Sequence, residues 1–352
     1  MVRRVGKAAS RPTPAARGPR RGCRCGVSGG PLERKRPARR EPLVTTLSAL
    51  IPHYGDPEPT LTLIEQLRGQ EGLSGLEIIV SDDLSPVPFP EGPGYQLVRR
   101  SENGGFSSNV NSAAAVATGD YIVILNSDLS LGPDTLADLL AAARPHQPAV
   151  CSPKVLEAGQ PIHTARKWPR VRHHAWEWLT PLARFRQTRL WHRFVGHDVA
   201  AFEAQDGTPT DWVMGACMLL PREAFERAGG MDERFYMNSE EVDLQRRLTT
   251  LGVPSVYLPQ VGVEHVGGGS SPSAKRRGWV TDSRFQYAHK WGGADRLRLA
   301  LRVATQLNYL WNLTRQLRRV PDVDARAARR DELGIIEHAW SSRAGYAWKR
   351  SR

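Results

Sequence analysis

The chain has 352 residues, 40% hydrophobic and 24% charged, which excludes a collagenous or wholly disordered protein and allows one large α/β domain with appendages or two modest domains. Its net charge of +13 sits at the ends, with +11 over residues 1–41 and +9 over 284–352, leaving −7 over residues 42–283. Basic flanks of this kind suit an anionic surface or a solvated tail, while the acidic middle argues against a non-catalytic nucleic-acid-binding protein. The four cysteines, Cys23, Cys25, Cys151 and Cys217, show no zinc spacing and no disulfide framework, which favours a reducing, cytoplasmic setting. No run of 18 apolar residues marks a transmembrane helix, and the basic N-terminus lacks the apolar core of a secretory signal.

Residues 1–41 are Arg, Pro, Gly and Ala with few large apolar residues; they are expected to stay disordered because they can bury too little surface to offset chain entropy. Leu43 to Ile51 predicts a first strand, stopped by Pro52-His53-Tyr54-Gly55-Asp56. Thr60 to Gln70 predicts an amphipathic helix with Thr60 as N-cap. Leu76 to Val80 predicts a second strand ended by Ser81-Asp82-Asp83, and Tyr95 to Arg99 a third. A turn at Asn103-Gly104-Gly105-Phe106 leads into a small-residue helix, Ser107 to Ala117. Tyr121 to Leu125 is a short unbroken apolar run, the mark of a buried parallel strand, and it ends at Asn126-Ser127-Asp128. Pro133 to Ala143 is a further helix.

Residues 150–210 carry less pattern. Val150 to Val155 suits a strand, and the segment from Trp168 to Phe202, rich in Trp, His and Arg, is expected to form a surface or acceptor-facing excursion. Trp212 to Leu220 predicts a strand containing Gly215 and Ala216, and Pro221 to Ala228 a helix. Ser239 is the expected N-cap of a helix running to Leu251, with acids in its first turn. Pro254 to Leu258 and Val261 to Val266 predict strands, the latter carrying His265 into Gly267-Gly268-Gly269-Ser270. After Arg284 basic amphipathic helices follow, of a type that lies on a membrane surface or packs on the domain.

Alternating strands and helices predict an α/β fold with a mainly parallel, doubly wound sheet flanked by helices, with a helical C-terminal appendage. The expected division is a basic tail over 1–41, an α/β domain over 42–283 with a nucleotide-binding half (42–145) and an acceptor half (146–283), and helices over 284–352. Three strands end in acids on one rim, where open α/β sheets bind ligands. Asp128 is thereby placed to meet a metal or phosphate.

The ordered set Asp82-Asp83, Asn103-Gly104-Gly105-Phe106 through Asn111, Asn126-Ser127-Asp128, Gly215-Ala216, Gly230-Met231-Asp232-Glu233-Arg234-Phe235, Glu240-Glu241-Val242-Asp243-Leu244 and His265-Val266-Gly267-Gly268-Gly269-Ser270 resembles the family 2 glycosyltransferases with a Rossmann-like GT-A fold. The bacterial rhamnosyltransferase- and galactofuranosyltransferase-like branch is the most similar, and the likeness covers roughly residues 45–290. It implies inverting transfer of a sugar from a UDP- or dTDP-sugar to a hydroxyl of a cell-envelope glycan or lipid-linked acceptor, at the cytoplasmic membrane face, with no specific nucleic acid.

The resemblance also implies roles. Asp128 matches the last acid of the family's Asp-x-Asp motif, with Asn126 where the first acid would be. It would hold Mg²⁺ or Mn²⁺, which offsets the charge of a departing diphosphate, with His265 matching a family histidine that joins the metal or the diphosphate; an imidazole ligand favours Mn²⁺. Glu241 aligns with the catalytic base, with Glu240 beside it raising its pKa if both are buried. Pro52, His53 and Tyr54 would line the base pocket, Asp83 or Asp82 would meet the pyrimidine, Asn103, Gly105 and Asn111 would approach the ribose and diphosphate, and Gly215 would lie beneath the acceptor. The alternative weighed against this is a nucleotidyltransferase on a similar acidic rim.

Overall fold

The structure, a computed structural model, describes residues 45–266 and 273–342. The basic tail over 1–41, Cys23 and Cys25, and the Gly267–Ser270 stretch lie outside the described residues. In chain order the first elements are β1 (Leu47–His53), α1 (Glu58–Arg68), β2 (Leu76–Asp82), β3 (Gln96–Arg99), α2 (Gly105–Ala114), β4 (Tyr121–Leu125), β5 (Leu129–Ser130) and α3 (Thr135–Ala143). Then come β6 (Val150–Glu157), β7 (Gln160–Pro161), β8 (Ala165–Arg166), α4 (Val171–Trp178), α5 (Arg189–Phe194), α6 (Val199–Phe202), β9 (Thr208–Thr210), β10 (Trp212–Val213) and β11 (Cys217–Pro221). The last are α7 (Arg222–Arg227), α8 (Glu240–Thr250), β12 (Ser255–His265), α9 (Ser273–Trp291), α10 (Ala294–Leu317) and α11 (Ala325–Ser341).

The main sheet has the order β3-β2-β1-β4-β11-β6-β12-β5. The pairs β1–β2, β1–β4, β2–β3 and β6–β12 are parallel, as the alternation predicts. β11 runs against both its neighbours, β4 and β6, so the sheet is mixed at its centre. Both faces are covered, which is why its strands read as continuous apolar runs. Leu47, Ala49 and Ile51 of β1 pack on one side with Leu63, Leu67 and Leu136, while Leu50 faces the other with Val110, Ile124, Phe225 and Leu248. The C-terminal helices have a separate core of Phe285, Leu297, Leu301 and Ile336, into which α4 inserts Trp178. No helix among the described residues is long and apolar enough to cross a membrane.

Several local expectations are corrected. β1 runs on through Pro52 and His53; it pairs with β4 only as far as Leu50, so the proline lies where its missing N–H leaves no bond to β4 unmade. Thr60 is no N-cap: α1 starts at Glu58, whose N–H donates to Asp56, and Thr60 is buried against His53. Ser239 occupies the N-cap position of α8 but makes no side-chain cap, because its backbone is left-handed. The expected strand over 212–220 breaks at Met214-Gly215-Ala216 into β10 and β11. The Trp-rich excursion is not purely a surface feature: Trp178, Trp191 and His173 are buried.

Candidate active site

The crevice forms where β1, β2 and β4 end. Its volume is about 630 Å³, and of the residues singled out by sequence its walls include Pro52, His53, Tyr54, Asp83, Asn103, Gly105, Asn126, Asp128, Gly215, Glu240, Glu241 and His265. Parallel register sets the first wall, since His53 lies beside Asp82 and the next residues of both strands turn out at the same rim. The His53 ring is buried, its Nδ1 lies 2.8 Å from Thr60 Oγ1, and its edge meets Phe89. Burial holds its pKa below the ordinary value despite the nearby Asp82 carboxylate.

The carboxylate of Asp83 organises the next loop. It accepts hydrogen bonds from the backbone N–H groups of Gly104 and Gly105 and from Arg100 Nε. Gly105 has φ +82°, and a Cβ there would stand 2.1 Å from the carbonyl oxygen of Tyr236. Only glycine fits so close an approach in that conformation. The Tyr236 carbonyl accepts the Phe106 N–H, and the Tyr236 hydroxyl donates to Asn103 Oδ1. This junction joins the Asn103–Phe106 loop to the segment leading into α8.

Asp128 follows β4 and precedes β5, and β5 pairs antiparallel with the end of β12, placing Leu129 opposite His265. Asp128 Oδ1 therefore lies 3.1 Å from His265 Nε2, and Glu157 Oε1 lies 3.4 Å from the other ring nitrogen. The Asp128 contact, followed by Glu157, raises the pKa of His265 against the opposing effect of burial. Burial resists ionisation of Asp128, but the hydrogen bond and charge of His265 prevail and lower its pKa. One carboxylate oxygen and one imidazole nitrogen facing a crevice make a donor pair suited to a divalent ion of the Mn²⁺ kind. These residues fit the metal that the Asp-x-Asp likeness implies.

At the start of α8, Glu240 and Glu241 are brought under the crevice by a tight approach: Asn238 and Ser239 both take left-handed backbone, uncommon for residues with a side chain. Each glutamate has a buried carboxylate oxygen, Oε2, with no hydrogen-bond partner. Burial, then repulsion from Glu241, pushes the pKa of Glu240 well up; burial also raises that of Glu241, against the opposing charge of Arg166. Gly215, in the break between β10 and β11, packs on the Glu241 side chain, where a Cβ would come within 3.2 Å of Glu241 Cβ. Pairing of β11 with β4 carries this break to the Asn126 side, and the Asn126 N–H donates to the Ala216 carbonyl. Asp243, two residues on, faces away to accept from Arg247, Lys290 and Trp291.

Two expected crevice residues are corrected. Asp82 turns into the following loop and accepts from the N–H groups of Ser85 and Phe89. Asn111 ties α2 to the Gly230–Glu233 loop, donating to the Met231 carbonyl and accepting the Met231 N–H. Conversely, the crevice includes Arg166, His174, Glu177, Tyr236, Trp279 and Arg284, which sequence reasoning did not single out. Arg284 donates to Glu177, so α9 and α4 are bonded across one wall. The only sequence signal for this wall is the density of Trp, His and Arg over 163–202.

Residues 48–206 match the model of the family described as "Glycosyl transferase family 2". An N-acetylglucosaminyl-diphospho-decaprenol L-rhamnosyltransferase of Mycobacterium tuberculosis is 29% identical over 219 residues, 54% of this chain and 66% of that protein. The chain thus spans just under two thirds of that relative's length. The rhamnosyltransferase WbbL of Escherichia coli is 25% identical over 195 residues, 52% of this chain and 69% of the other. The O-antigen biosynthesis protein RfbC of Myxococcus xanthus is 26% identical over 65% of this chain and 18% of its own. A solved structure of GalNAc-T7 with UDP, GalNAc and Mn²⁺ overlays with a TM-score of 0.48 at 12% identity, over 86% of this chain and 58% of the other. The sheet rim bearing Asp83 and Asp128 thus lies within residues 48–206, the stretch that matches the glycosyl transferase family 2 model.

Proposed function

We propose that the chain transfers a sugar, with inversion, from a nucleotide-diphosphate donor to a hydroxyl of a cell-envelope glycan or lipid-linked acceptor. The observation that carries this reading is the convergence of residues far apart in sequence on one crevice: Asp128 with His265, and Glu241 with a carboxylate oxygen lacking any partner. An unsatisfied buried acceptor is costly, and an incoming acceptor hydroxyl would satisfy it.

In this mechanism Glu241 takes the hydroxyl proton as the acceptor oxygen attacks the anomeric carbon, and the bond from that carbon to the diphosphate breaks with its electron pair leaving on the phosphate oxygen. Burial, by raising the pKa of Glu241, makes it a stronger base than an exposed carboxylate. Asp128 and His265 would hold a divalent ion, Mg²⁺ or Mn²⁺, which when bound neutralises charge on the leaving diphosphate. His53, Tyr54 and Asp83 flank the position for the nucleotide, and Arg166, His174 and Trp279 flank that for the acceptor. The division into nucleotide and acceptor halves at about residue 145 belongs to this proposal.

The names of the mycobacterial and Escherichia coli relatives make rhamnose the first sugar to test, and the mycobacterial name makes a polyprenyl-diphosphate sugar the first acceptor. Peripheral membrane contact at the cytoplasmic face is also proposed. Leu299, Val303, Leu307, Leu310 and Leu317 form an exposed apolar stripe along α10, the kind of face that docks on lipid.

The test is transfer from a panel of UDP- and dTDP-sugars to a polyprenyl-diphosphate acceptor, read by mass spectrometry. Glu241→Gln should bind donor in a thermal-shift assay yet transfer no sugar. Full turnover by that variant, or release of pyrophosphate instead of a nucleoside diphosphate, would overturn the reading.

A further inference from the structure

We infer that His163, His192 and His197 form a second metal site, for a divalent ion of the zinc class, separate from the Asp128–His265 position. Among the described residues these three are the one group of His, Cys, Asp and Glu whose potential ligand atoms all approach within 4.8 Å of one another. Nδ1 of His192 lies 2.9 Å from Nδ1 of His197. The His163 ring lies 3.9 Å from that of His192 and 4.8 Å from that of His197, centre to centre. Nδ1 of His163 is buried with no hydrogen-bond partner, an arrangement that native proteins seldom leave without a ligand or water.

The scaffold is fixed from both sides. His163 precedes β8, His192 lies within α5, and His197 follows it; the His197 N–H donates to the His192 carbonyl. On either side of His197, the Gly196 carbonyl accepts the Lys167 N–H and the Asp198 N–H donates to the Ala165 carbonyl, so the histidine is clamped to β8. Four-coordinate zinc with Zn–N bonds of about 2.05 Å separates its ligand nitrogens by about 3.3 Å. The longest gap must therefore close by roughly 1.5 Å, within reach of ring rotation.

Chemistry selects the ion. A donor set of imidazoles without oxygen suits Zn²⁺, Co²⁺, Ni²⁺ or Cu²⁺ and not Mg²⁺ or Ca²⁺. Three histidines leave a fourth position for water or hydroxide. Burial lowers the pKa of all three rings, which favours the neutral form that ligates a metal, and an ion would take the place of the hydrogen bond between His192 and His197. The Arg166 guanidinium acts against a dication here, and a hydroxide as fourth ligand reduces that repulsion. Because Lys167, Val195 and Gly196 line the crevice, an ion on these histidines would pin one of its walls.

The experiment titrates the chelator-stripped full chain, in a His265→Ala background that disables the crevice site, with ZnCl₂ against a chromophoric competitor. One equivalent should bind. His192→Gln and His197→Gln should each weaken binding by at least about a hundredfold, since loss of an outer-shell partner alone costs 10–100-fold, while His174→Gln should not. Substitution by Co²⁺ should give the visible absorption of a tetrahedral nitrogen site, absent from the variants. Metal-free melting checks that each variant folds, with His163→Asn replacing any that does not. Absence of zinc binding in the parent, or equal affinity in the parent and every ligand variant, would overturn the site.

Discussion

Replacing Gly105 by alanine tests the junction on which the crevice depends. The new methyl would meet the Tyr236 carbonyl oxygen at 2.1 Å and the Tyr236 ring at 2.6 Å, on a backbone held at φ +82°. A left-handed L-residue costs about 1–2 kcal/mol. Relieving the clash requires the carbonyl to move by roughly 1 Å, which breaks the hydrogen bond it accepts from the Phe106 N–H, at about 1–3 kcal/mol for the pair. The expected loss is therefore about 2–5 kcal/mol. At this size about 2 °C accompanies each kcal/mol, so the midpoint should fall by roughly 4–10 °C. Gly159→Ala is the control: its φ is +72°, and a Cβ there meets nothing within 4 Å, so only the backbone cost of about 1–2 kcal/mol applies. Urea denaturation of both variants reads the difference. Equal losses would refute the reasoning, because the steric contact would then contribute nothing.

Other expectations concern the Asp128–His265 pair and the outer helix α10. In chelated protein, the pKa of His265 measured by NMR should lie above 6.5 and fall back in Asp128→Asn. A raised folded pKa means that the His265 contribution to stability is complete below 6.5 and is lost as pH rises through the raised value. The lowered pKa of Asp128 means that its own contribution is present above 3.8 and is lost as pH falls through its folded value. A His265 pKa unchanged by Asp128→Asn would show that the contact is not made in solution. On α10, Leu310→Ser with Leu299→Ser should weaken binding to anionic vesicles by on the order of thirtyfold, taking about 1 kcal/mol for each half-inserted leucine. Vesicle binding that ignores both substitutions would remove α10 as the docking face.

Local chemistry made a large part of this protein legible in its sequence. The run Tyr121–Leu125 is apolar on both sides because helices cover both faces of the sheet, and that composition alone marks a buried strand. Acids and small polar residues follow β2 and β4 because a chain leaving a sheet must turn, so the rim with Asp83 and Asp128 is visible as a series of abrupt stops. What residue order could not express is partnership. Nothing between positions 128 and 265 states that β5 pairs with β12, yet that pairing alone sets a carboxylate against an imidazole. The antiparallel course of β11 likewise brings Gly215 against Glu241. Asp82 and Asp83 are neighbours of one chemical type, and only the loops packed around them decide that the first caps a turn while the second faces the crevice. The three histidines at 163, 192 and 197 meet for the same reason: side-chain chemistry is written residue by residue, but proximity comes from burial of apolar surface spread over the whole fold.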